Sequence, residues 1–199
     1  MKIVSLLASS HTEGNTATVL SWVEESLRKH GHKTERILLS EKQIAPCRGC
    51  YVCAESTDEP GCVIEDDATE IFESMIGADA ILFATPLYMW SYPGPLKTLY
   101  DRSLCLVRGY STSDHRSFVE GKLGALLVTC AGPIEGNADA IQMTHERIAD
   151  YLKLVNKGVF VFPHCTTPDK LPNTHGNKVH DLSYCLATVS YTHLRAHET

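Results

Sequence analysis

The sequence predicts an α/β domain built on a doubly wound, five-stranded parallel sheet with helices on both faces. Three observations carry this. Five short apolar runs read as buried strands. Segments with helical 3-4 spacing separate them, and such alternation gives parallel strands joined by right-handed crossovers. The chain has 199 residues, 43% hydrophobic and 21% charged, enough for one domain with a real core.

Ile3–Ala8 reads as the first strand, and Ser9–Asn15 as a loop. Thr16–His30 places Val19, Leu20, Val23 and Leu27 on one helical face, and Gly31 stops it. Lys33–Leu39 alternates as the second strand. Ile44–Val63 is a cysteine-rich loop. Asp66 and Asp67 open a helix over Ala68–Ile76, with acids where the helix dipole favours them. Ala80–Thr85 is the third strand, Pro86–Pro95 an aromatic, proline-rich loop, and Leu96–Val107 a helix. Lys122–Thr129 is the fourth strand, Cys130–Asn137 a loop, Ala138–Val155 a long helix and Gly158–Phe162 the fifth strand. Asn177–Ala187 has the spacing of a closing helix. Val189–Thr199 has no hydrophobic period and, with Thr188 before it, matches the translation of a sequencing-library transposon end plus adapter. The expectation is a domain over 1–188 with a truncated closing helix, followed by a non-native, adapter-derived tail over 189–199.

Net charge is −6, and no Lys/Arg block marks a phosphate-backbone tracker, which argues against nucleic acid. No apolar run reaches the roughly 20 residues that span a membrane, and no signal sequence opens the chain. A soluble cytoplasmic protein is expected. Eight cysteines without a secretion signal favour a metal, cluster or redox site over a disulfide framework.

Ligands of such sheets bind beyond the strand carboxyl ends. Three loops occupy that rim. Ser9–Thr16 offers hydroxyls, a glycine and helix N-terminal N–H groups, which suit a phosphate monoester. It is neither a Walker A nor a G-x-G-x-x-G sequence, and a plain Ser/Thr-capped helix start stays open. Pro86-Leu87-Tyr88-Met89-Trp90 offers flat aromatics and amides to a planar ring, or an ordinary aromatic cluster. Cys130-Ala131-Gly132 begins the third loop. Cys47, Cys50, Cys53 and Cys62 form C-x2-C-x2-C-x8-C, which leaves open an iron–sulfur cluster, unligated thiols or zinc. Zinc usually takes two separated C-x2-C knuckles. The scattered cysteines read as core thiols.

Together these motifs resemble the flavodoxin-like NAD(P)H-dependent FMN reductases, and the iron–sulfur flavoproteins in particular. Ala8–Thr16 is similar to the family's G-S-P-R-x-x-G-N-T loop, with Gly14-Asn15-Thr16 kept and His11 in place of the arginine. Pro86-Leu87-Tyr88 resembles its S/T-P-x-Y. Leu96-Lys97 with Asp101-Arg102 resembles its LK…DR helix, and Cys62 followed by Asp66-Asp67 its C-x-x-x-D-D. The resemblance implies strand order 2-1-3-4-5. It implies FMN held through its phosphate by Ser9, His11, Gly14, Asn15 and Thr16. The ring would lie against Pro86, Leu87, Tyr88, Met89, Trp90, Cys130, Ala131 and Gly132, with NAD(P)H as cosubstrate. It further implies a [4Fe–4S] cluster on the four clustered cysteines. Hydride transfer to flavin requires no side-chain acid or base, so no catalytic residue is named. The expected activity is NAD(P)H-dependent reduction of a small acceptor such as a quinone or flavin. The alternatives are an electron carrier serving ferredoxin-like partners and a non-enzymatic phospho-ligand module. A homodimer or homotetramer is expected.

Overall fold

The computed structural model describes residues 1–55, 58–171 and 175–188. Val189–Thr199, the stretch expected to be adapter-derived, lies outside them. Strands β1 (Lys2–Leu7), β2 (Lys33–Leu38), β3 (Ala80–Pro86), β6 (Leu123–Thr129) and β7 (Val155–Phe162) form one parallel sheet, order β2-β1-β3-β6-β7. The order is the expected 2-1-3-4-5, with two numbers taken by a small antiparallel ladder, β4 (Val107–Arg108) and β5 (Arg116–Ser117).

Every residue of β3 and β6 is buried, as central strands covered on both faces must be. Alternate residues feed two cores. On one face Ile3, Leu7, Leu82 and Leu127 meet Val19, Leu20, Val23 and Leu27 of α1 (Asn15–Lys29) and Val179, Leu182 and Leu186 of α5 (His175–Ala187). On the other face Leu6, Ile81, Phe83 and Leu126 meet three further helices: α2 (Ala68–Ile76), α3 (Gly94–Arg102) and α4 (Asp139–Tyr151). β1 sits between β2 and β3, so the chain winds outward from it in both directions. That makes the β1/β3 junction the topological switch point, where the following loops splay apart and leave a crevice.

Three expected boundaries shift. The helix expected over Leu96–Val107 ends at Arg102, passes through a 3-10 turn at Ser103–Leu106, and enters β4. The helix expected over Ala138–Val155 ends at Tyr151, because Val155 already pairs with Leu123. The fifth strand therefore starts at Val155, earlier than Gly158. Lys153 takes φ +56° and compresses the α4-to-β7 turn. Pairing with β6 decides these ends, not helical period.

His145 on α4 is fully buried edge-on to Phe83, with ring centroids 6.0 Å apart, and neither ring nitrogen has a hydrogen bond among the described residues. Burial lowers its pKa from 6.5 to about 4. The folded value lies below the unfolded one, so the unfolded chain binds the extra proton. This contribution is complete above pH 6.5 and is lost as pH falls toward 4, by roughly 3 kcal/mol in total. Urea midpoints measured from pH 7 to pH 4 are expected to fall accordingly. His145→Leu should remove that part of the slope, and an unchanged slope in the variant would contradict the assignment.

Candidate functional site

Helix α1 begins at the rim. Gly14 is its N-cap, with φ −78° and ψ −178°, and its first turn carries no acidic residue. The first α1 bond runs from Thr18 N–H to Gly14 C=O at 2.9 Å, which leaves the N–H groups of Asn15, Thr16 and Ala17 directed out of the helix. The positive end of the α1 dipole thus carries no acidic side chain within its first turn. The preceding turn is tight. Gly14 N–H donates to His11 C=O at 3.1 Å, and His11 N–H donates to Ser9 Oγ at 3.1 Å. A Cβ on residue 14 would stand 2.9 Å from His11 Cβ, so the turn requires glycine for space, not for φ. Asn15 Oδ1 is buried without a hydrogen-bond partner among the described residues. Thr16 is instead spent inward: its hydroxyl shares a 2.7 Å buried hydrogen bond with Thr129, locking α1 to the end of β6.

The loop after β3 is a tight turn. Tyr88 and Ser91 exchange backbone hydrogen bonds at 3.1 and 2.9 Å, and Met89 and Trp90 take φ +48° and +60°. Both central residues being left-handed marks a type I′-like turn, a geometry usually given to Asn or Gly. Leu87 N–H is committed to Thr129 C=O at 2.8 Å. The N–H groups of Met89 and Trp90 have no hydrogen-bond partner among the described residues.

A pocket of about 320 Å³ joins these loops. Ser9, His11, Gly14, Asn15, Thr16, Pro86, Leu87, Tyr88, Cys130 and Ala131 line it together. Gly132, Met89 and Trp90 do not. Met89 is 82% and Trp90 54% exposed, because the turn lifts both side chains off the pocket. Thr129, Cys165, Thr166 and Pro168 complete the lining, unforeseen from sequence. Cys165 reaches it because its N–H donates to Cys130 C=O at 2.9 Å, extending the β6/β7 pairing past the strand ends. Burial, then the neighbouring Cys130, pushes the Cys165 thiol up to about 11, so it is a neutral wall residue.

The four clustered cysteines line a second cavity of about 600 Å³ between their loop, the Tyr100–Leu104 segment and α4. Cys47 and Cys50 are exposed, while Cys53 and Cys62 are half-buried against the core. Burial first, then the charges of Cys62, Cys50 and Cys47, raises the Cys53 thiol, so the four share one electrostatic neighbourhood. Two of these sulfurs accept N–H hydrogen bonds: Cys47 from Gly49 at 3.5 Å and Cys62 from Arg102 at 3.3 Å. Four thiols on one cavity, with N–H donors on their sulfurs, is a donor set that fits a cluster. Among the described residues no three His, Cys, Asp or Glu side chains converge on a single-ion site.

Arg102 organises this region. Its side chain is fully buried and binds both Asp66 oxygens through Nη1, and Ile64 C=O at 3.1 Å through Nη2. Asp66 also accepts the Ala45 and Ala68 N–H groups at 2.8 and 3.0 Å. Burial opposes ionisation of Asp66, but the hydrogen bonds from Arg102, Ala45 and Ala68 outweigh it and hold the carboxyl below its ordinary range. The sequence marks both residues, yet nothing local in it shows that they meet.

The profile of the NADPH-dependent FMN reductase family matches residues 1–166. The chain belongs to this family. Its members are NAD(P)H-dependent flavin oxidoreductases, and FMN is the family's cofactor. The chain is 34% identical over 147 residues to an iron–sulfur flavoprotein of Methanosarcina thermophila, covering 73% of this chain and 72% of that one. It is 32% identical over 145 residues to another from Methanocaldococcus jannaschii, covering 73% and 70%. An FMN-dependent NADH-azoreductase from Bacillus anthracis, solved with FMN, has a similar fold: TM-score 0.70, 14% identity, covering 94% of this chain and all of that one. So has an NAD(P)H:quinone oxidoreductase from Methanothermobacter marburgensis: TM-score 0.68, 18% identity, covering 94% and 95%. For an FMN reductase the smaller pocket fits its cofactor on independent grounds. A helix N-terminus with three outward N–H groups and a glycine cradle meet at one end, and Pro86, Leu87, Tyr88, Cys130 and Ala131 at the other.

Arg102→Leu is expected to cost about 3–5 kcal/mol in urea unfolding, since it leaves the Asp66 carboxylate without its cation. Adding Asp66→Asn to that variant should recover part of the loss. A loss under about 1 kcal/mol would mean that the pair is solvated like an ordinary surface bridge.

Proposed function

We propose that this FMN reductase carries electrons from NAD(P)H through FMN seated in the 320 Å³ pocket to a small-molecule acceptor, with a [4Fe–4S] cluster on Cys47, Cys50, Cys53 and Cys62 as the outlet. The observation that carries the reading is the convergence of three rim loops on one pocket with an anion site at one end. When bound, FMN accepts hydride from NAD(P)H and releases electrons singly or in pairs. The protein's part is binding and electrostatics.

The Asn15, Thr16 and Ala17 N–H groups hold the phosphate, and Ser9 and His11 line that end of the pocket. Pro86, Leu87, Tyr88, Cys130 and Ala131 bound the ring. The uncommitted N–H groups of Met89 and Trp90 lie in the turn next to Tyr88, outside the pocket lining. Thr16 contributes through its bond to Thr129, which fixes the distance between phosphate loop and ring wall. Gly132 serves the turn that Cys130 Sγ bonds at 3.4 Å, not the wall itself. In the cluster site Arg102 and the Gly49 N–H bear on sulfur, so they raise the potential at which the cluster takes an electron.

A second reading has one observation of its own. Cys47 and Cys50 are exposed at the cavity mouth, where a ferredoxin-like protein could collect single electrons. Exposed Met89 and Trp90 beside the flavin pocket support association with a further subunit, in a dimer or tetramer. No helix of the described residues is long and apolar enough to cross a membrane. All eight cysteines are free, which suits a reducing, cytoplasmic setting.

Protein purified anaerobically is expected to show a flavin band with a broad added shoulder, and iron and sulfide on assay. NAD(P)H should bleach the flavin. A protein that takes up no FMN sinks the reading, and flavin without iron removes the cluster alone. Gly14→Ala keeps an allowed backbone but forces His11 away, so FMN should bind about tenfold more weakly in a fluorescence titration, with the fold unchanged by circular dichroism. An unaltered affinity would move the phosphate elsewhere.

A further inference from the structure

Residues 109–115, which join β4 to β5, belong to neither core. They nonetheless hold one shape. Gly109 C=O accepts the Thr112 N–H at 3.0 Å and the Thr112 hydroxyl at 2.8 Å, and Thr112 Oγ1 accepts the Asp114 N–H at 3.2 Å. Gly109 takes φ +66°, and a Cβ there would run into the Asp114 carbonyl, so this turn closes only with glycine. The ladder below is seated firmly. Val107 and Ser117 are buried, and Phe118 N–H donates to Leu106 C=O at 2.9 Å. β4 also packs against the 3-10 turn Val52–Glu55, which carries Cys53.

From this support two side chains reach across. Tyr110 lines the cysteine cavity, and its ring lies 5.9 Å from that of Tyr51, which stands between Cys50 and Cys53. His115 Nε2 donates to Tyr151 C=O at 2.7 Å, with the two rings 4.9 Å apart. Tyr151 is the last residue of α4, so its carbonyl is one of those that a helix leaves without an internal partner. A carbonyl only accepts, so the His115 proton sits on Nε2. Tyr151 lines the same cavity. Burial, then the charges of Tyr110 and Cys53, raises its hydroxyl, which sets the three groups within electrostatic reach of one another. Tyr51, Tyr110 and Tyr151 thus come from three segments to one wall of the cysteine site, while Cys47 and Cys50 stand exposed.

We infer that the β4–β5 connection is a strap that closes the Cys53 side of the cysteine site, with Tyr110 on Tyr51 as its cover and His115 on Tyr151 as its latch. The strap keeps water and dioxygen from that side and leaves the exposed Cys47 and Cys50 edge as the place where an acceptor makes contact. This deepens the proposed function and rests on the cluster in it. The shell around a metal centre controls its access to solvent. A cluster held by four thiolates is an anion that gains negative charge on reduction. Water admitted to it therefore favours the reduced form and raises the potential.

The test moves anaerobically purified holoprotein into air-saturated buffer and follows the loss of the broad iron–sulfur absorbance. Tyr110→Ala is expected to lose the cluster about tenfold faster than the native chain, and His115→Ala to lose it faster as well. Tyr110→Phe keeps the ring and His115→Gln keeps an N–H, so both should stay near the native rate. The cluster potential, titrated anaerobically, should be higher in Tyr110→Ala. A native rate in Tyr110→Ala overturns the cover, and a native rate in His115→Ala overturns the latch. Faster loss together with altered sedimentation also overturns the strap, because another subunit would then be the cover. Holoprotein with flavin but no iron or sulfide defeats the cluster reading by itself. Iodoacetamide labelling of Cys53, read by peptide mass spectrometry, then tests the closure directly. Labelling should be faster in Tyr110→Ala than in the native chain, and equal rates overturn the strap.

Discussion

The buried guanidinium of Arg102 is the constraint on which the cysteine half of the molecule depends. One side chain at the end of α3 reaches both oxygens of Asp66, the Ile64 carbonyl and the Cys62 sulfur, while Asp66 returns to the Ala45 N–H. Both ends of the long loop between β2 and α2 are thus tied to one planar cation. Lysine, a single point charge, could not reach these partners in one plane. Burying an unpaired cation there would cost several kcal/mol, so the arrangement holds together only as a set. It also explains the cavity. A loop pinned at positions 45 and 62–66 leaves Cys47–Cys53 to arch over α4, with space beneath.

The rim pocket is organised on a different principle. It lies at the switch point between β1 and β3, where loops following β1, β3, β6 and β7 meet. The Thr16–Thr129 hydrogen bond joins the two ends of that pocket from beneath. Its threonines are buried and structural, and they set the span between the Ser9–Thr16 loop and the end of β6. Electrostatics follows the same division. The rim pocket offers helix-dipole and amide charge, whereas the cysteine cavity offers formal charge from arginine.

How legible each half was follows from how local it is. Ser9–Thr16, Pro86–Tyr88 and Cys130–Ala131 could be read because each directly follows an apolar strand, so topology alone brings them to one rim. Cys165, Thr166 and Pro168 could not, because they reach the pocket through pairing that continues past β7. Met89 and Trp90 belong to the loop whose resemblance implies ring contact, but both take left-handed φ and stand exposed outside the pocket lining. The β4–β5 ladder, two residues to a strand, carries no period to detect, yet it delivers Tyr110 to the second cavity.

By itself the sequence determined the fold class, the strand order through its resemblance, the three rim loops and the four thiols. These rest on short-range signals: runs of apolar residues, helical spacing, and glycine and cysteine at fixed offsets. Tertiary structure alone decided that Asp66 meets Arg102, where helix α4 yields to β7, and that tyrosines from three separate segments share a cavity with the cysteines. The reason is physical. Contacts between residues tens of positions apart depend on packing angles and strand register, and neither leaves a periodic trace in the chain.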